Sequence, residues 1–217
     1  VGGIRLKIVM LAYPGMTPLD LMGPLQVFAY WPEAQTEVVW KTLDPVTTDT
    51  GVCLVPTHTF DTADQNPDIL FVPGGTKATF DLLGDEETLS FLKSRAENAS
   101  WITSVCTGAL VLGAAGLLNG YKATTHWAAV DLLQNFGAEH AEGRYVFDRN
   151  RLTGGGVTAG IDFGLALVAE ISGEETAKVL QLSMEYSPAP PFQSGSPQEA
   201  SEETRLAVLE GFSQFMP

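Results

Sequence analysis

Cysteine is scarce in this chain. Cys53 and Cys106 are the two thiols among 217 residues, too few for a disulfide framework and in keeping with a reducing compartment. Histidine is nearly as rare, at three, and no paired Cys or His spacing marks a metal site. Basic residues are also few: 12 Lys and Arg stand against 26 Asp and Glu, a net charge of −14. With no basic run to meet phosphates, neither a nucleic acid nor an anionic membrane is an expected partner.

Uninterrupted apolar runs are missing too. Trp101 to Leu118 has the length of a membrane span, but Thr103, Ser104 and Thr107 interrupt it, as do Gly108, Gly113 and Gly116. No basic cluster flanks it, so it reads as a buried strand followed by a buried helix. Ile8 to Tyr13, ahead of Pro14, is too short for a signal-peptide core with so little basic charge before it. The expected location is the cytoplasm.

What the chain does have is a 45% hydrophobic fraction and 22 glycines, as a globular α/β protein would, and its length suits one domain over 1–217. Strands are expected at Ile4 to Tyr13, Glu37 to Leu43, Val52 to Pro56, Asp68 to Gly75 (ending in a glycine pair), Trp101 to Val105 and Lys122 to Thr125. "RYVFDRNRLTGGG" reads as a hairpin turning at Asp148 to Asn150. Helices are expected from Pro18 to Tyr30, Asp85 to Asn98, Cys106 to Ala115, His126 to Phe136, Thr158 to Ile171, Glu174 to Tyr186 and Glu199 to Phe215. In the first of these, Thr17 is the expected cap, Pro18 takes the first helical position, and Asp20 stands at the capping-box place. Such alternation implies a mostly parallel central sheet with helices on both faces.

Chemistry concentrates where the strand ending at Val105 turns into a helix. "VCTG" has the small neighbours that a sharp strand-to-helix corner needs, in the manner of a nucleophile elbow. A thiol there would lie beside unpaired helix amides, which favour thiolate; helix-start cysteines titrate at roughly 3.5–7.5 instead of about 8.5. Cys53, within "GVCLVP", reads as a small buried hydrophobe. His126 follows a short strand and reads either as a base for the thiol or as a helix-start side chain bonded to backbone. His58 and His140 have no partner spacing that suggests work. The glycines at 154–156 lack the spacing of a phosphate-binding fingerprint and read as a place of close backbone packing, with Gly155 beside the site.

Several motifs together resemble the ThiJ/PfpI superfamily. These are "PGG" at Pro73 to Gly75, "SVCTGALVLGAAGLL" at Ser104 to Leu118 and "ATTHW" at Ala123 to Trp127. With "LDLMGP" at Leu19 to Pro24, "LTGGGVTAGIDF" at Leu152 to Phe163 and "MEYSPAPPF" at Met184 to Phe192, the chain is similar to the isonitrile hydratase branch. The resemblance implies a flavodoxin-like or class I glutamine amidotransferase-like sandwich. It also implies hydration of small-molecule isonitriles to formamides without cofactor or metal, and a homodimer. Cys106 would be the nucleophile and Asp20 its acid and base. Backbone amides of Thr107 and Gly75 would meet developing charge, with Gly74 letting the chain approach closely. Tyr186 and Phe192 are candidates for lining the pocket. Competing expectations are a glyoxalase-like hydration of α-oxoaldehydes by the same pair, and a non-enzymatic redox or ligand sensor built on Cys106.

Overall fold

A computed structural model describes residues 5–215. Its centre is a seven-stranded sheet, in the order Tyr145–Asp148 (β10), Arg151–Gly154 (β11), Trp101–Val105 (β7), Ile69–Val72 (β6), Leu6–Leu11 (β1), Ala34–Trp40 (β2) and His58–Thr59 (β5). Every pairing is parallel except β10 with β11, the expected hairpin. Two small ribbons stand apart: Val46–Thr47 (β3) with Cys53–Leu54 (β4), and Lys122–Ala123 (β8) with Glu139–His140 (β9). β6 is apolar and buried throughout, β1 is so from Ile8 onward, and β7 is buried from Ile102 onward with Thr103 and Ser104 inside it, as central parallel strands covered on both faces require.

Pro18–Tyr30 (α1), Ala159–Ser172 (α5) and Glu174–Ser183 (α6) pack together on one side of the sheet. Lys77–Leu82 (α2), Glu86–Ala96 (α3) and Gly108–Ala114 (α4) pack on the other. Glu202–Ser213 (α7) follows an irregular segment that holds Pro188, Pro190, Pro191 and Pro197. The expected doubly covered parallel sheet is therefore the observed fold. Apolar side chains close both interfaces, with Phe28, Phe71 and Phe163 meeting across the α1–α5 side. Burying each such ring stabilises the fold by roughly 1.5–3 kcal/mol.

Several boundaries differ from expectation. Of the strand expected from Ile4, Ile4 itself lies outside the described residues; the strand covers Leu6–Leu11, and Ala12 and Tyr13 run on as buried coil. β2 begins earlier than Glu37 and stops at Trp40. Trp127–Phe136 is a 3-10 helix rather than an α-helix, capped by His126 and ended by Gly137 in the left-handed region. α6 stops at Ser183, short of Tyr186, because Glu185 takes φ 51°. α2 was not expected: it has six residues and no side-chain cap.

α1 runs through Pro24 without a break. Pro24 has no N–H to give the carbonyl of Asp20, so that turn is held by packing instead. Among the described residues, no helix is long and apolar enough to cross a membrane.

Candidate active site

The corner after β7 is as sharp as the sequence suggests, and it is strained as well. Cys106 has φ 56°, in the left-handed region that a non-glycine residue enters at a cost. Its backbone is over-determined. The amide donates to Gly155 O at 2.7 Å and Gly154 O at 3.1 Å, and the carbonyl accepts from Thr125 Oγ1 at 2.8 Å. α4 then starts so close beneath β6 that a Cβ on Gly108 would collide with the carbonyls of Val72 and Pro73. These contacts fix the direction of the Cys106 side chain at the carboxyl ends of β6 and β7, where open parallel sheets bind ligands.

Asp20 comes to the same spot from α1. Its side chain does not serve as a capping-box residue, nor does Thr17 act as a side-chain cap. Thr17 Oγ1 instead donates to Asp49 Oδ2 at 2.6 Å, and Thr17 N donates to Gly74 O at 3.0 Å. Asp20 Oδ2 accepts from Gly74 N, also at 3.0 Å. Gly74 is required here. A Cβ would lie 2.6 Å from Thr107 N, 2.7 Å from Thr107 Oγ1 and 2.8 Å from Asp20 Oδ2.

Asp20 is fully buried and its Oδ1 has no hydrogen-bond partner. An unpaired buried carboxylate oxygen is costly, so the group holds its proton more tightly. Burial raises the Asp20 pKa to about 7, partly offset by the neighbouring Cys106 thiol and the Gly74 amide. The expectation of a lowered thiol pKa is corrected by the structure. Burial first, then the negative charge of Asp20, push Cys106 well above the ordinary thiol range, and the Thr107 amide and hydroxyl offset only part of this. A helix-start amide cannot outweigh removal of an anion from water beside a second anion. The two groups cannot both be charged, so the pair keeps at least one proton near neutrality.

The expected charge-binding amides are only partly free. Gly75 N already donates to Thr107 Oγ1 at 3.0 Å, so it is occupied rather than open to a ligand. Gly74 N is taken by Asp20, and the Thr107 amide lies close enough to the Cys106 thiol to favour its charged form. Thr107 Oγ1 donates in turn to Gly75 O at 2.7 Å and lies 3.0 Å from Thr79 Oγ1. Thr79 lies 2.9 Å from the Tyr13 hydroxyl, which donates to Pro73 O at 3.1 Å. This buried hydroxyl chain clamps the Pro73–Gly75 loop, and sequence reading missed Thr79, Tyr13 and Thr125. Thr79 sits on the unexpected α2. The "TTH" run carried a signal for Thr125, overshadowed by His126.

The candidates at the periphery fare differently. His126 Nδ1 accepts from Ala128 N at 3.3 Å, and burial lowers its pKa, so it is a neutral capping residue. No hydrogen bond joins it to the thiol. Gly155 is beside the site, its carbonyl holding the Cys106 amide. Tyr186 is placed elsewhere: its hydroxyl donates to Asp162 Oδ1 at 3.1 Å, and Asp162 pairs with Arg144. Phe192 is 77% exposed and is not in the wall of the cavity beside the corner. Cys53 is exposed, not buried, with its sulfur 3.3 Å from Thr47 Oγ1.

A cavity of about 730 Å³ adjoins the corner. Thr125 and Gly155, the residues that hold the backbone of Cys106, are in its wall, together with His126, Trp127, Val157 and Pro197. Its size is that of a small-molecule site.

Comparison with known proteins agrees with this fold. Residues 6–170 match the DJ-1/PfpI family. The isonitrile hydratase of Pseudomonas putida is 52% identical over 197 residues, covering 91% of this chain and 86% of that protein. A ThiJ/PfpI family protein from Pseudomonas syringae superposes with a TM-score of 0.95 at 50% identity, covering 97% of this chain and 87% of the other. Drosophila melanogaster DJ-1beta shares the fold, with a TM-score of 0.75 at 18% identity over 85% of this chain and all of its own.

Proposed function

We propose that this chain, which belongs to the DJ-1/PfpI family, is an enzyme that hydrates isonitriles, R–N≡C, to N-substituted formamides. The observation that carries the proposal is a buried thiol and carboxyl holding at least one proton between them, in a chain 52% identical to the Pseudomonas putida isonitrile hydratase.

The chemistry needs that single proton. In the reactive arrangement it lies on Asp20 and Cys106 is the thiolate. The sulfur bonds to the terminal isonitrile carbon while Asp20 gives its proton to that same carbon, leaving Cys–S–CH=N–R, a thioimidate. Asp20, now ionised, takes a proton from water as the hydroxide adds to the thioimidate carbon, and passes it to nitrogen. Collapse of Cys–S–CH(OH)–NH–R breaks the C–S bond, and Asp20 recovers the hydroxyl proton. The products are R–NH–CHO, thiolate and carboxylic acid, so the pair returns to its starting state and one water is consumed. One carboxyl acts in turn as acid and base in covalent catalysis. A group titrating near 7 suits both roles at neutral pH.

The Thr107 amide, set against the sulfur, would steady the thiolate between steps. We also read the protein as a homodimer. Leu19 and Met22 on α1 are exposed, and so are Val52 and Val55 beside β4. The glyoxalase-like alternative would draw on a histidine at the thiol, whereas His126 is committed to backbone and aromatic contacts. A readily oxidised sensor thiol is poorly served by burial.

The test is a product assay on phenyl isonitrile. The parent is expected to form N-phenylformamide, and Asp20→Asn to lose about 10²-fold or more in kcat. A parent inert on isonitriles but active on methylglyoxal would transfer the pair to α-oxoaldehyde chemistry.

A further inference from the structure

The catalytic pair is shut in. Cys106 is 5% exposed and Asp20 0%, so a substrate meets very little of either in this arrangement. Two segments flank the corner at the sheet's rim. On one side Gly75 and Thr79 are bonded to Thr107, and α2 carries Phe80 next to Thr79. On the other side Thr125 is bonded to the carbonyl of Cys106, and His126 follows it.

One side chain bridges both flanks. The ring of Phe212 stacks on His126 with centroids 5.3 Å apart and planes 7° from parallel, and it meets Phe80 edge-on at 6.5 Å and 70°. Phe212 belongs to α7, none of whose residues is buried; Leu206 and Val208 are 58% and 42% exposed. A helix held so lightly can lift at little cost, since local opening energies follow buried apolar contact. Aromatic pairs of this kind favour closure without locking it. Gly156 leaves just enough room for the His126 ring: a Cβ there would come within 3.2 Å of its Cδ2. His126 and Gly156 both line the cavity of about 730 Å³.

We propose that Phe212, stacked on His126, is a shutter over the Cys106–Asp20 pair, that α7 lifts it to admit substrate, and that its ring face selects flat apolar substituents. The selectivity half rests on the isonitrile reading above; the shutter half does not.

The experiment uses a Cys53→Ser background, so that Cys106 is the one thiol left to alkylate. Labelling by iodoacetamide is followed on the Cys106 peptide by mass spectrometry, alongside kcat/KM for phenyl and methyl isonitrile. Phe212→Ala is expected to label at least about 10-fold faster than the parent, and Phe212→Leu, which keeps the apolar contact but not the stacking, to fall between. The preference for phenyl over methyl isonitrile should shrink in the same order, chiefly through KM. Equal labelling rates in all three proteins would overturn the shutter. Faster labelling with an unchanged phenyl preference would overturn the selectivity. Faster labelling in a chain whose parent hydrates no isonitrile would keep the shutter and remove the isonitrile reading.

Discussion

Cys106 and Cys53 are the same side chain in opposite settings. Cys53 is exposed on a two-residue ribbon strand, with a threonine hydroxyl beside its sulfur. Cys106 is buried at a left-handed corner, its amide and carbonyl bonded to three residues from distant parts of the chain, and a carboxyl faces its thiol. Access favours Cys53; placement favours Cys106. The difference teaches that a buried, held corner gives a thiol a direction and a carboxyl neighbour, while exposure alone gives neither.

The largest test of that contrast is to remove each sulfur in turn. Cys106→Ala should abolish formamide formation, whereas Cys53→Ser should keep kcat within about twofold, because an exposed side chain away from special contacts changes little. Comparable losses in both variants would erase the distinction. A smaller effect is expected from tightening the loop beside Cys106. Gly74→Ala forces a methyl against Thr107 and Asp20, which should cost about 1–3 kcal/mol in denaturant unfolding and about 10-fold in kcat. The smallest effect concerns the clamp one layer out. Thr79→Val cuts the hydroxyl chain from Tyr13 to Thr107, and unfolding should report a loss of about 1–3 kcal/mol with kcat lowered only severalfold. A Thr79 variant as inactive as Cys106→Ala would mean that the hydroxyl chain takes part in the chemistry itself.

Much of the architecture was legible in the sequence, for reasons tied to particular residues. The runs at Ile69–Val72 and Trp101–Val105 read as buried parallel strands, and Cys106 as the joint that follows. What escaped depends on contacts between segments far apart in the chain. Whether Asp20 caps its helix or reaches the thiol is decided by Gly74, 54 residues away, whose amide claims Oδ2. Whether the Gly75 amide is free is decided by Thr107 Oγ1. The raised thiol pKa follows from burial beside a carboxyl, which local sequence does not report; the helix start, which it does report, is the weaker influence. α2 is too short to show a periodic face, and the 3-10 character of Trp127–Phe136 leaves a pattern close to that of an α-helix.

The most direct test of the shared proton is the pH dependence of kcat/KM on phenyl isonitrile, in the parent and in Asp20→Asn. With both groups protonated the pair has no anion to attack; loss of the first proton, near the value of about 7 to which burial raises Asp20, creates the reactive form. The parent should therefore gain activity as pH rises through about 7 with a single ionisation, and then hold a plateau into alkaline solution. The residual activity of Asp20→Asn should lack that rise. A parent profile that is flat from acid to alkaline pH, or a rise near 7 that survives in Asp20→Asn, would contradict the pairing of Cys106 with Asp20.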